Sequence, residues 1–463
     1  MPIWSPSSWR NYPVKQQPSY PRQELLQATL AQLRDYPPLV YTGEVEYLKS
    51  LLAEAAQGKR FVLQGGDCAE RFRDCTNQAI IDKLKILLQM SLVLIYGLRK
   101  PVVRIGRIAG QFAKPRSAEF ETIDGQILPV YRGDLVNSFE PDLATRIPDP
   151  RRLLQSYYHS SVTMNYVRAL IEGGFADLHH PEHWNLEFIS ASEHRHDYVH
   201  LVERLTDAIH FMESLGGVRS SVLGKVNFFT SHEGLLLCYE EALTRHDVES
   251  DRYYNLGAHT LWIGDRTRAL EGAHVEYFRG LANPIGIKIG PSCSPEELLQ
   301  LLRILNPLNE WGRITLITRL GQEHILRLLP PLIQAVQKQG ARVLWCCDPM
   351  HGNTTTTENA FKTRNFEDIL RELRLCFELH RNHGSWLGGV HFELTGENVT
   401  ECTGGAQKIA EQDLSKNYDT YCDPRLNYAQ SLEMAFQIAE AHRSARFPSE
   451  EIGVQPAQPY GSL

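Results

Sequence analysis

The stretch PIGIKIGPSCSPEELLQLLRILNPLNEWGRITLITR, residues 284–319, contains a strand-like run, a helix-like segment and a second strand-like run in succession. The runs, at 284–290 and 313–319, lack polar alternation, as is typical of strands that a parallel sheet buries on both faces. Between them, Ser294 precedes a proline and two glutamates, which is a common start of a helix. Leucines then recur at helical spacing until an Asn-Pro pair ends the segment. The stretch predicts one strand–helix–strand unit of a parallel sheet.

The same pattern repeats along the chain after residue 59. Short apolar runs, most of them followed by a helix-like segment, occur at 61–66, 101–110, 225–230, 259–264, 284–290, 313–319, 341–348 and 388–394. Eight such units are the number that closes a (β/α)8 barrel. The sequence therefore predicts the α/β class, with a (β/α)8 TIM barrel over residues 59–463.

Residues 1–58 form an extension in front of the barrel. The extension begins with several prolines and aromatic residues and continues with two helix-like stretches. We expect an arm that packs on the barrel, because Trp4, Trp9 and Tyr12 favour burial. A flexible tail is the alternative.

The connection after the second run is much longer than the others. It predicts a helical insertion at about 149–220, used for assembly or regulation. The first helix of the insertion opens at Asp149-Pro150 and ends at Gly173-Gly174. A second helix is expected near 198–215.

The composition excludes several classes of protein. The 463 residues are 42% hydrophobic and 22% charged, so a packed globular core is expected. A chain of net charge −7 is a poor candidate for a general nucleic-acid binder. The longest apolar stretch, near 86–98, is too short to span a bilayer, and MPIWSPSSWR is not a secretory signal. The nine cysteines, an odd number, indicate a reducing compartment, the cytoplasm.

Basic residues are frequent where the barrel strands should end, which is where such barrels carry their active sites. They are Arg107, Lys114, Arg116, Arg266, Arg268, Lys288, Arg319 and, on a later loop, Lys362. Arg and Lys bind phosphate and carboxylate groups. So many cations on an acidic chain predict small, highly anionic substrates. For any single cation, an ion pair with an acid such as Glu70 or Asp134 is the alternative.

Metal-capable residues occur at the same strand ends. They are Cys68, His351, Glu393 and, further along the chain, Asp423. A thiolate, an imidazole and two carboxylates suit Mn, Co, Fe or Zn better than Ca or Mg. The long spacing leaves an ordinary buried cysteine and a hydrogen-bonded histidine as alternatives.

These residues stand in long motifs that resemble one enzyme family. In chain order the motifs are GGDCAERF, RIAGQFAKPRS, GDLVN, WIGDRTR, GIKIGPS, TLITRLG, DPMHGNT, GGVHFELTGENVTEC and YDTYCDPRLN. They resemble the class II 3-deoxy-D-arabino-heptulosonate 7-phosphate (DAHP) synthases from about residue 4 to about residue 436, and WSPSSWR is similar to the longer, plant-like members. The resemblance implies a (β/α)8 barrel that condenses phosphoenolpyruvate with erythrose 4-phosphate, the first committed step of the shikimate route.

The resemblance also implies roles for individual residues. A single divalent metal ion per subunit, Mn or Co with Zn or Fe as alternatives, would be bound by Cys68, His351, Glu393 and Asp423. Phosphoenolpyruvate would be bound by Arg107, Arg266, Lys288 and Arg319, and the aldose phosphate by Arg116, Ser117 and Lys362. The implied catalytic residues are Lys114, Lys288, His351 and Asp265. The family usually has glutamate at Asp265, so the reach of this acid towards water or the enol differs here.

Assembly and regulation are further expectations. The resemblance implies a homodimer or homotetramer with an aromatic amino acid as effector. It also implies that the extension and the insertion mediate the subunit contacts and the binding of the effector. The compartment would be the cytoplasm, or the plastid for a plant protein that has lost its transit peptide. Cys422 adjoins the implied ligand Asp423, so a disulfide with Cys68 would remove a metal ligand and act as a redox switch.

Three rival functions remain open from the residues alone. Lys288 at a strand end would suit a Schiff-base aldolase. A metal-dependent barrel hydrolase usually needs His-x-His near the first strand, which GGDCAE does not provide. A non-catalytic binding barrel would need an incomplete metal set, whereas all four candidate ligands are present.

Overall fold

The computed structural model describes residues 3–123, 125–175, 196, 198–200, 202–203 and 226–446. The barrel strands are β1 (Phe61–Gly66), β2 (Val102–Arg107), β5 (Phe228–Glu233), β8 (Thr260–Ile263), β9 (Ile285–Ile289), β10 (Ile314–Thr318), β11 (Leu344–Cys347) and β14 (Leu387–Glu393). The remaining strands are β3 (Phe120–Ile123), β4 (Gln126–Pro129), β6 (Thr244–Asp247), β7 (Arg252–Asn255), β12 (Thr354–Thr356) and β13 (Lys362–Arg364).

Helices precede the barrel and alternate with its strands. They are α1 (Gln23–Asp35), α2 (Thr42–Ala56), α3 (Asn77–Leu98), α4 (Leu143–Arg146), α5 (Arg151–Glu172), α6 (Leu237–Ala242), α7 (Ala273–Arg279), α8 (Pro295–Leu305), α9 (Ile325–Gln339), α10 (Phe366–Asn382) and α11 (Tyr428–Arg446). Within the described residues, no helix combines the length and apolar character needed to cross a bilayer.

The eight parallel strands close into a barrel in the order β1-β14-β11-β10-β9-β8-β5-β2. This confirms the predicted fold, and the first strand has the predicted bounds. Closure pairs β1 with both the second and the last strand of the barrel, so that Gly66 lies opposite both Arg107 and Glu393. The groups that follow β1 are therefore placed between an arginine and a carboxylate at the carboxyl end of the barrel.

The other seven barrel strands differ from their predicted bounds; β5 ends three residues later than predicted and β2 three residues earlier. The run 225–230 is observed as β5 (Phe228–Glu233), which continues through polar residues because the barrel satisfies their hydrogen bonds. Ser231 Oγ donates to Gly106 O at 3.1 Å, and His232 Nε2 lies 3.0 Å from Glu240 Oε1. The second run ends at Arg107 rather than at residue 110, because Ala109 adopts a left-handed φ of 62°.

The helix signals of the 284–319 stretch are confirmed. Ser294 Oγ accepts a hydrogen bond from the backbone N–H of Glu297 at 3.1 Å and caps α8. The predicted leucine stripe is buried: Leu298, Leu301, Leu302 and Leu305 all face the core. On the opposite side of the barrel, α3 and α11 pack closely, since a Cβ on Gly97 would lie 2.2 Å from Ala439 Cβ.

The long connection after β2 begins with an antiparallel hairpin, β3 and β4, that the sequence did not predict. The helix α5 starts just after the expected Asp149-Pro150 and is followed by Gly173. The second expected helix, near 198–215, lies for the most part outside the described residues. The function of this insertion remains a prediction.

The arm packs on the barrel through its aromatic residues. Trp4 Nε1 donates to Glu276 O at 3.0 Å, and Trp9, which is 6% exposed, donates to Glu241 Oε2 at 2.9 Å. Tyr12 is partly buried against the same core. The alternative of a flexible tail therefore does not hold for these residues.

Candidate active site

A cavity of about 180 Å3 opens at the carboxyl end of the barrel. Most of the predicted site residues line it: Cys68, Arg107, Lys114, Asp265, Arg266, Lys288, Arg319, His351, Glu393 and Asp423. Strand closure explains this convergence, because the ends of all eight strands meet around one opening. Arg116, Ser117 and Lys362 do not line this cavity. Ser117 and Lys362 contact residues that do, and Arg116 directly follows Pro115, which lines it, so these three residues mark its rim.

Three of the four predicted metal ligands form one group. Donor atoms of Cys68, Glu393 and Asp423 all lie within 4.8 Å of one another. His351 adjoins this group, since its Nε2 lies 3.0 Å from Glu393 Oε1. Its other ring nitrogen, Nδ1, lies 2.7 Å from Asp348 Oδ2, and a carboxylate in that position orients an imidazole for ligation.

The donor group already contains a positive charge. The ammonium of Lys114 contacts both the thiol of Cys68 and the carboxylate of Asp423. Burial alone would raise the pKa of Asp423, but Lys114, Arg364 and His351 together lower that pKa. Burial holds the pKa of the Cys68 thiol well above its usual range. Two buried carboxylates and a thiol require such a counter-charge, and the same set of donors fits a divalent transition metal.

Glu393 is held by two buried guanidinium groups. Arg107 Nη2 donates to Glu393 Oε1 at 3.0 Å, and Arg364 Nη1 donates to Glu393 Oε2 at 2.7 Å. Burial would raise the pKa of Glu393, yet His351, Arg364 and Arg107 together hold it well below the usual range. Sequence reasoning missed Arg364, which lies in β13 rather than at the end of a barrel strand.

The cavity also has a cationic wall, formed by Arg107, Arg266, Lys288 and Arg319. Lys288 Nζ lies 3.1 Å from Asp348 Oδ2, and burial lowers its pKa. Arg319 Nη2 donates to His351 O at 3.2 Å, whereas Arg319 Nε is buried without a hydrogen-bond partner among the described residues. A buried guanidinium N–H that lacks a partner is the group that an anionic ligand would satisfy.

The rim residues Arg116, Ser117 and Lys362 have different partners. Arg266 Nη2 donates to Ser117 Oγ at 3.2 Å, and Lys362 Nζ lies 3.1 Å from Asp423 Oδ1. Arg116 Nη2 is 3.4 Å from Glu121 Oε2, and Glu121 also faces Arg146. Arg116 thus shares its carboxylate partner with a second arginine.

The proposed acid partners Glu70 and Asp134 have other roles. Glu70 accepts backbone N–H groups of residues 109–111, and Asp134 pairs with Arg152 at 3.0 Å. The pairing alternative does apply, with other acids, to six of the eight cations: Arg107, Lys114, Arg116, Arg268, Lys288 and Lys362. Among them, Arg268 binds Asp265 at 2.9 Å and also contacts Glu297. Asp265 Oδ1 accepts the N–H of Gly290 as well, at 2.9 Å, and so connects two loops at the cavity wall.

Several cavity residues were absent from the sequence-based set. Gln111, Glu233 and Thr354 line the cavity, and Asp348 and His391 support it. Glu233 was missed because the predicted third run ended three residues early, which hid a carboxylate at a strand end. Gln111 lies in the motif RIAGQFAKPRS, one of the motifs that carry the family resemblance. That motif could have identified Gln111 as a site residue.

Cys68 and Cys422 lie in one buried cluster with Tyr131. A hydrogen bond with Cys68 lowers the pKa of the Cys422 thiol. The two thiols are therefore neighbours, as the redox hypothesis requires, and the hypothesis itself stays a prediction.

Comparison with known proteins assigns the chain to a family. Residues 4–439 match the model of the class-II DAHP synthetase family. A protein of Neurospora crassa named phospho-2-dehydro-3-deoxyheptonate aldolase is 49% identical over 465 residues, covering 97% of this chain and 96% of that protein. A protein of the same name from Streptomyces coelicolor is 48% identical over 437 residues, covering 94% of this chain and 97% of that protein. The chain belongs to the class-II DAHP synthetase family.

Proposed function

We propose that the protein condenses phosphoenolpyruvate with D-erythrose 4-phosphate to give DAHP and inorganic phosphate, the 3-deoxy-7-phosphoheptulonate synthase reaction. This transferase reaction is the first step of the shikimate route to aromatic amino acids. The match over residues 4–439 and the names of the relatives support the assignment. The structural observation that carries it is a buried group of metal-capable donors beside a cationic wall that includes the unsatisfied Arg319 Nε.

One divalent metal ion would be held by Cys68, His351, Glu393 and Asp423. When bound, such an ion supplies Lewis-acid polarisation of the aldehyde of erythrose 4-phosphate. The mixed thiol, imidazole and carboxylate donors favour Mn or Co, with Zn or Fe as alternatives. Arg107 and Arg364 fix the carboxylate of Glu393, and Asp348 fixes the ring of His351.

The cationic wall binds phosphoenolpyruvate. Arg107, Arg266, Lys288 and Arg319 offset the carboxylate and phosphate charges and fix the orientation of the enol. Lys288 stays positioned because Asp348 binds its ammonium. Arg107 and Lys288 lie 5.2 Å and 5.7 Å from the centre of the Trp262 ring, which restricts both cations to one side of the barrel.

The bond changes balance with one added water. C3 of phosphoenolpyruvate attacks C1 of erythrose 4-phosphate, and the aldehyde oxygen takes up a proton. Water adds to C2, and the C2–O bond to phosphate then breaks and releases inorganic phosphate. Burial would lower the pKa of Lys114, but Asp423 and Cys68 raise it, so Lys114 holds a proton at neutral pH and can donate it to the aldehyde oxygen. A water linked to His351 is the second candidate donor.

The phosphate of erythrose 4-phosphate binds at the rim. Arg116, Ser117 and Lys362 are the groups available there, and Arg266 already contacts Ser117. Asp265 lies in the cavity wall. Its carboxylate accepts hydrogen bonds from the N–H of Gly290 and from Arg268, and so holds these two residues together.

One assay tests the proposal. The purified protein is mixed with phosphoenolpyruvate and erythrose 4-phosphate, and phosphate release and DAHP are measured with and without a chelator. We expect coupled formation of both products, loss of activity with the chelator and recovery with Mn²⁺ or Co²⁺. Full activity in the chelator would exclude the metal, and absence of DAHP would refute the reaction.

The Schiff-base alternative at Lys288 predicts different behaviour. The lowered pKa of this lysine would favour imine formation. Borohydride would then trap substrate on Lys288, and chelators would have no effect. The family match supports the metal-dependent reaction, so we expect no borohydride-dependent adduct.

We propose a homodimer or homotetramer with an aromatic amino acid as effector. Tyr158 and Val162 of α5 are about half exposed, at 48% and 58%, which suits a contact between subunits. Light scattering measures the assembly, and unchanged feedback after deletion of 149–220 would refute the regulatory role of the insertion. The odd number of cysteines supports the cytoplasm as the compartment, or the plastid for a plant protein.

A further inference from the structure

The N-terminal arm reaches the rim of the active site at Gln16. The Nε2 of Gln16 donates to Arg116 O at 2.9 Å, and the N–H of Arg116 donates to Gln16 Oε1 at 2.8 Å. A single side-chain amide thus satisfies both polar groups of the Arg116 backbone. The arm and the rim are 100 positions apart in the chain, so this contact exists only in the folded protein.

The arm has other anchors that are independent of Gln16. Trp4 and Trp9 hold it to α7 and α6, and Pro13 O accepts the N–H of Ala273 at 3.0 Å. Gln17 binds a different loop, since its Nε2 donates to Leu235 O at 2.7 Å. Loss of the Gln16 contact would therefore leave the arm on the barrel. The effect of that contact should be confined to the backbone of Arg116 and the loop around it.

The rim loop becomes exposed just where Gln16 meets it. Lys114 is buried and is fixed by a backbone bond to Arg132 O at 2.9 Å, whereas residues 117–120 are exposed. An exposed loop loses conformational entropy when a ligand orders it, and this loss weakens binding of the ligand. Hydrogen bonds that hold the loop beforehand remove part of that loss.

Glutamine suits this task for a geometric reason. Its amide carries one acceptor and two donors on a flexible stem, so it can bind a backbone N–H and a backbone C=O together. Glutamate lacks the donor, and alanine lacks both groups. Gln16 also has a left-handed φ of 62°, and such strain in a residue other than glycine persists only where the surrounding contacts impose it.

We propose that Gln16 is a positioning residue for the aldose-phosphate subsite. It holds the Arg116 backbone so that the guanidinium of Arg116 and the hydroxyl of Ser117 are in place before erythrose 4-phosphate arrives. This inference rests on the proposed function, because it takes Arg116 and Ser117 as the groups that bind the aldose phosphate.

Steady-state kinetics of Gln16→Ala test the proposal, with Ser8→Ala as the matched control. Ser8 also anchors the arm, through Glu276 Oε1 at 2.7 Å, but it does not touch the rim. For Gln16→Ala we expect a KM for erythrose 4-phosphate that is about tenfold higher, as for the loss of two hydrogen bonds. The KM for phosphoenolpyruvate and kcat should stay within about twofold. Ser8→Ala should change neither KM.

Hydrogen exchange supplies a readout that does not depend on turnover. The peptide containing residues 114–119 should exchange faster in Gln16→Ala than in the wild type or in Ser8→Ala. Equal increases in both KM values, or an unchanged exchange rate at the rim loop, would overturn the proposal. A wild-type protein that forms no DAHP would refute the proposed function and this inference with it. Normal wild-type turnover with an unchanged KM in Gln16→Ala would refute this inference alone.

Discussion

Arg364 Nη1 donates to Glu393 Oε2 at 2.7 Å, and both side chains are fully buried. The pair joins a short hairpin, β12–β13, to the last strand of the barrel. Glu393 belongs to the donor group of the active site, so the hairpin takes part in orienting that group although Arg364 does not line the cavity.

Replacing Arg364 should weaken metal binding. In Arg364→Met, Glu393 loses one of two buried guanidinium partners, so its pKa should rise and its affinity for a cation should fall. The free energy of unfolding should decrease by about 3 kcal/mol, as for other broken buried ion pairs. Titration with Mn²⁺ and urea unfolding measure the two effects. Arg374→Met, at an exposed site where Arg374 binds Gln437, is the control and should change neither quantity.

His274 should make the protein less stable in mild acid. Burial lowers the pKa of His274 to about 4, and its Nε2 donates to Leu235 O at 2.9 Å. The unfolded chain takes up a proton near pH 6.5 and the folded chain only near pH 4, so stability is lost as the pH falls between these values. A shift of this size corresponds to about 3 kcal/mol.

Urea unfolding at pH 7, 5.5 and 4 measures this loss. His274→Gln should lose less stability than the wild type over that interval, although it starts from a lower value at pH 7. His324→Gln, which alters an exposed histidine, should follow the wild type. Identical pH profiles for His274→Gln and the wild type would contradict the prediction.

Mild oxidation should inactivate the enzyme through Cys68 and Cys422. The two thiols are neighbours, so an oxidant such as diamide should join them and remove the Cys68 thiol from the donor group. Peptide mapping should find the Cys68–Cys422 crosslink, and dithiothreitol should restore activity. Cys422→Ser should resist inactivation, whereas Cys293→Ser, at a buried thiol outside the Cys68–Cys422 cluster, should not. Inactivation without that crosslink would disprove the switch.

Gly97 should tolerate no side chain. A Cβ at Gly97 would lie 2.2 Å from Ala439 Cβ and 2.9 Å from Ala439 Cα, between α3 and α11. In Gly97→Ala the higher helix propensity is worth about 1 kcal/mol, but overpacking costs about 1–3 kcal/mol, so a net destabilisation is expected. Thermal unfolding measures it. The double variant Gly97→Ala with Ala439→Gly should recover part of the loss, and no recovery would show that the clash is not the cause.

The barrel could be predicted from the sequence because its strands are buried on both faces. Such strands are apolar without alternation, and β9 and β10 are clear examples. The strand β5 was misplaced because Ser231 and His232 are polar, and only tertiary hydrogen bonds allow them inside the barrel. The three hairpins consist of strands of only three or four residues, which is too short to produce a periodic signal.

The part of the candidate site that could be predicted consists of residues in the family motifs. The motif residues Cys68, Glu393 and Asp423 do converge, although they lie far apart in the chain. Arg364 and Gln16 were missed because their roles depend on contacts with other residues rather than on motif or strand position. Spacing in the sequence does not encode contacts of that kind.

The pairing of Gly66 with both Arg107 and Glu393 has a consequence for synthesis on the ribosome. Cys68 emerges more than 300 residues before Glu393 and Asp423, so a nascent chain carries an isolated thiol for most of its translation. The donor group can assemble only after the last strand has closed the ring and the following segment that carries Asp423 has been made. Fragments released by premature termination upstream of β14 therefore lack two of the three clustered donors, Glu393 and Asp423, and should not form this site.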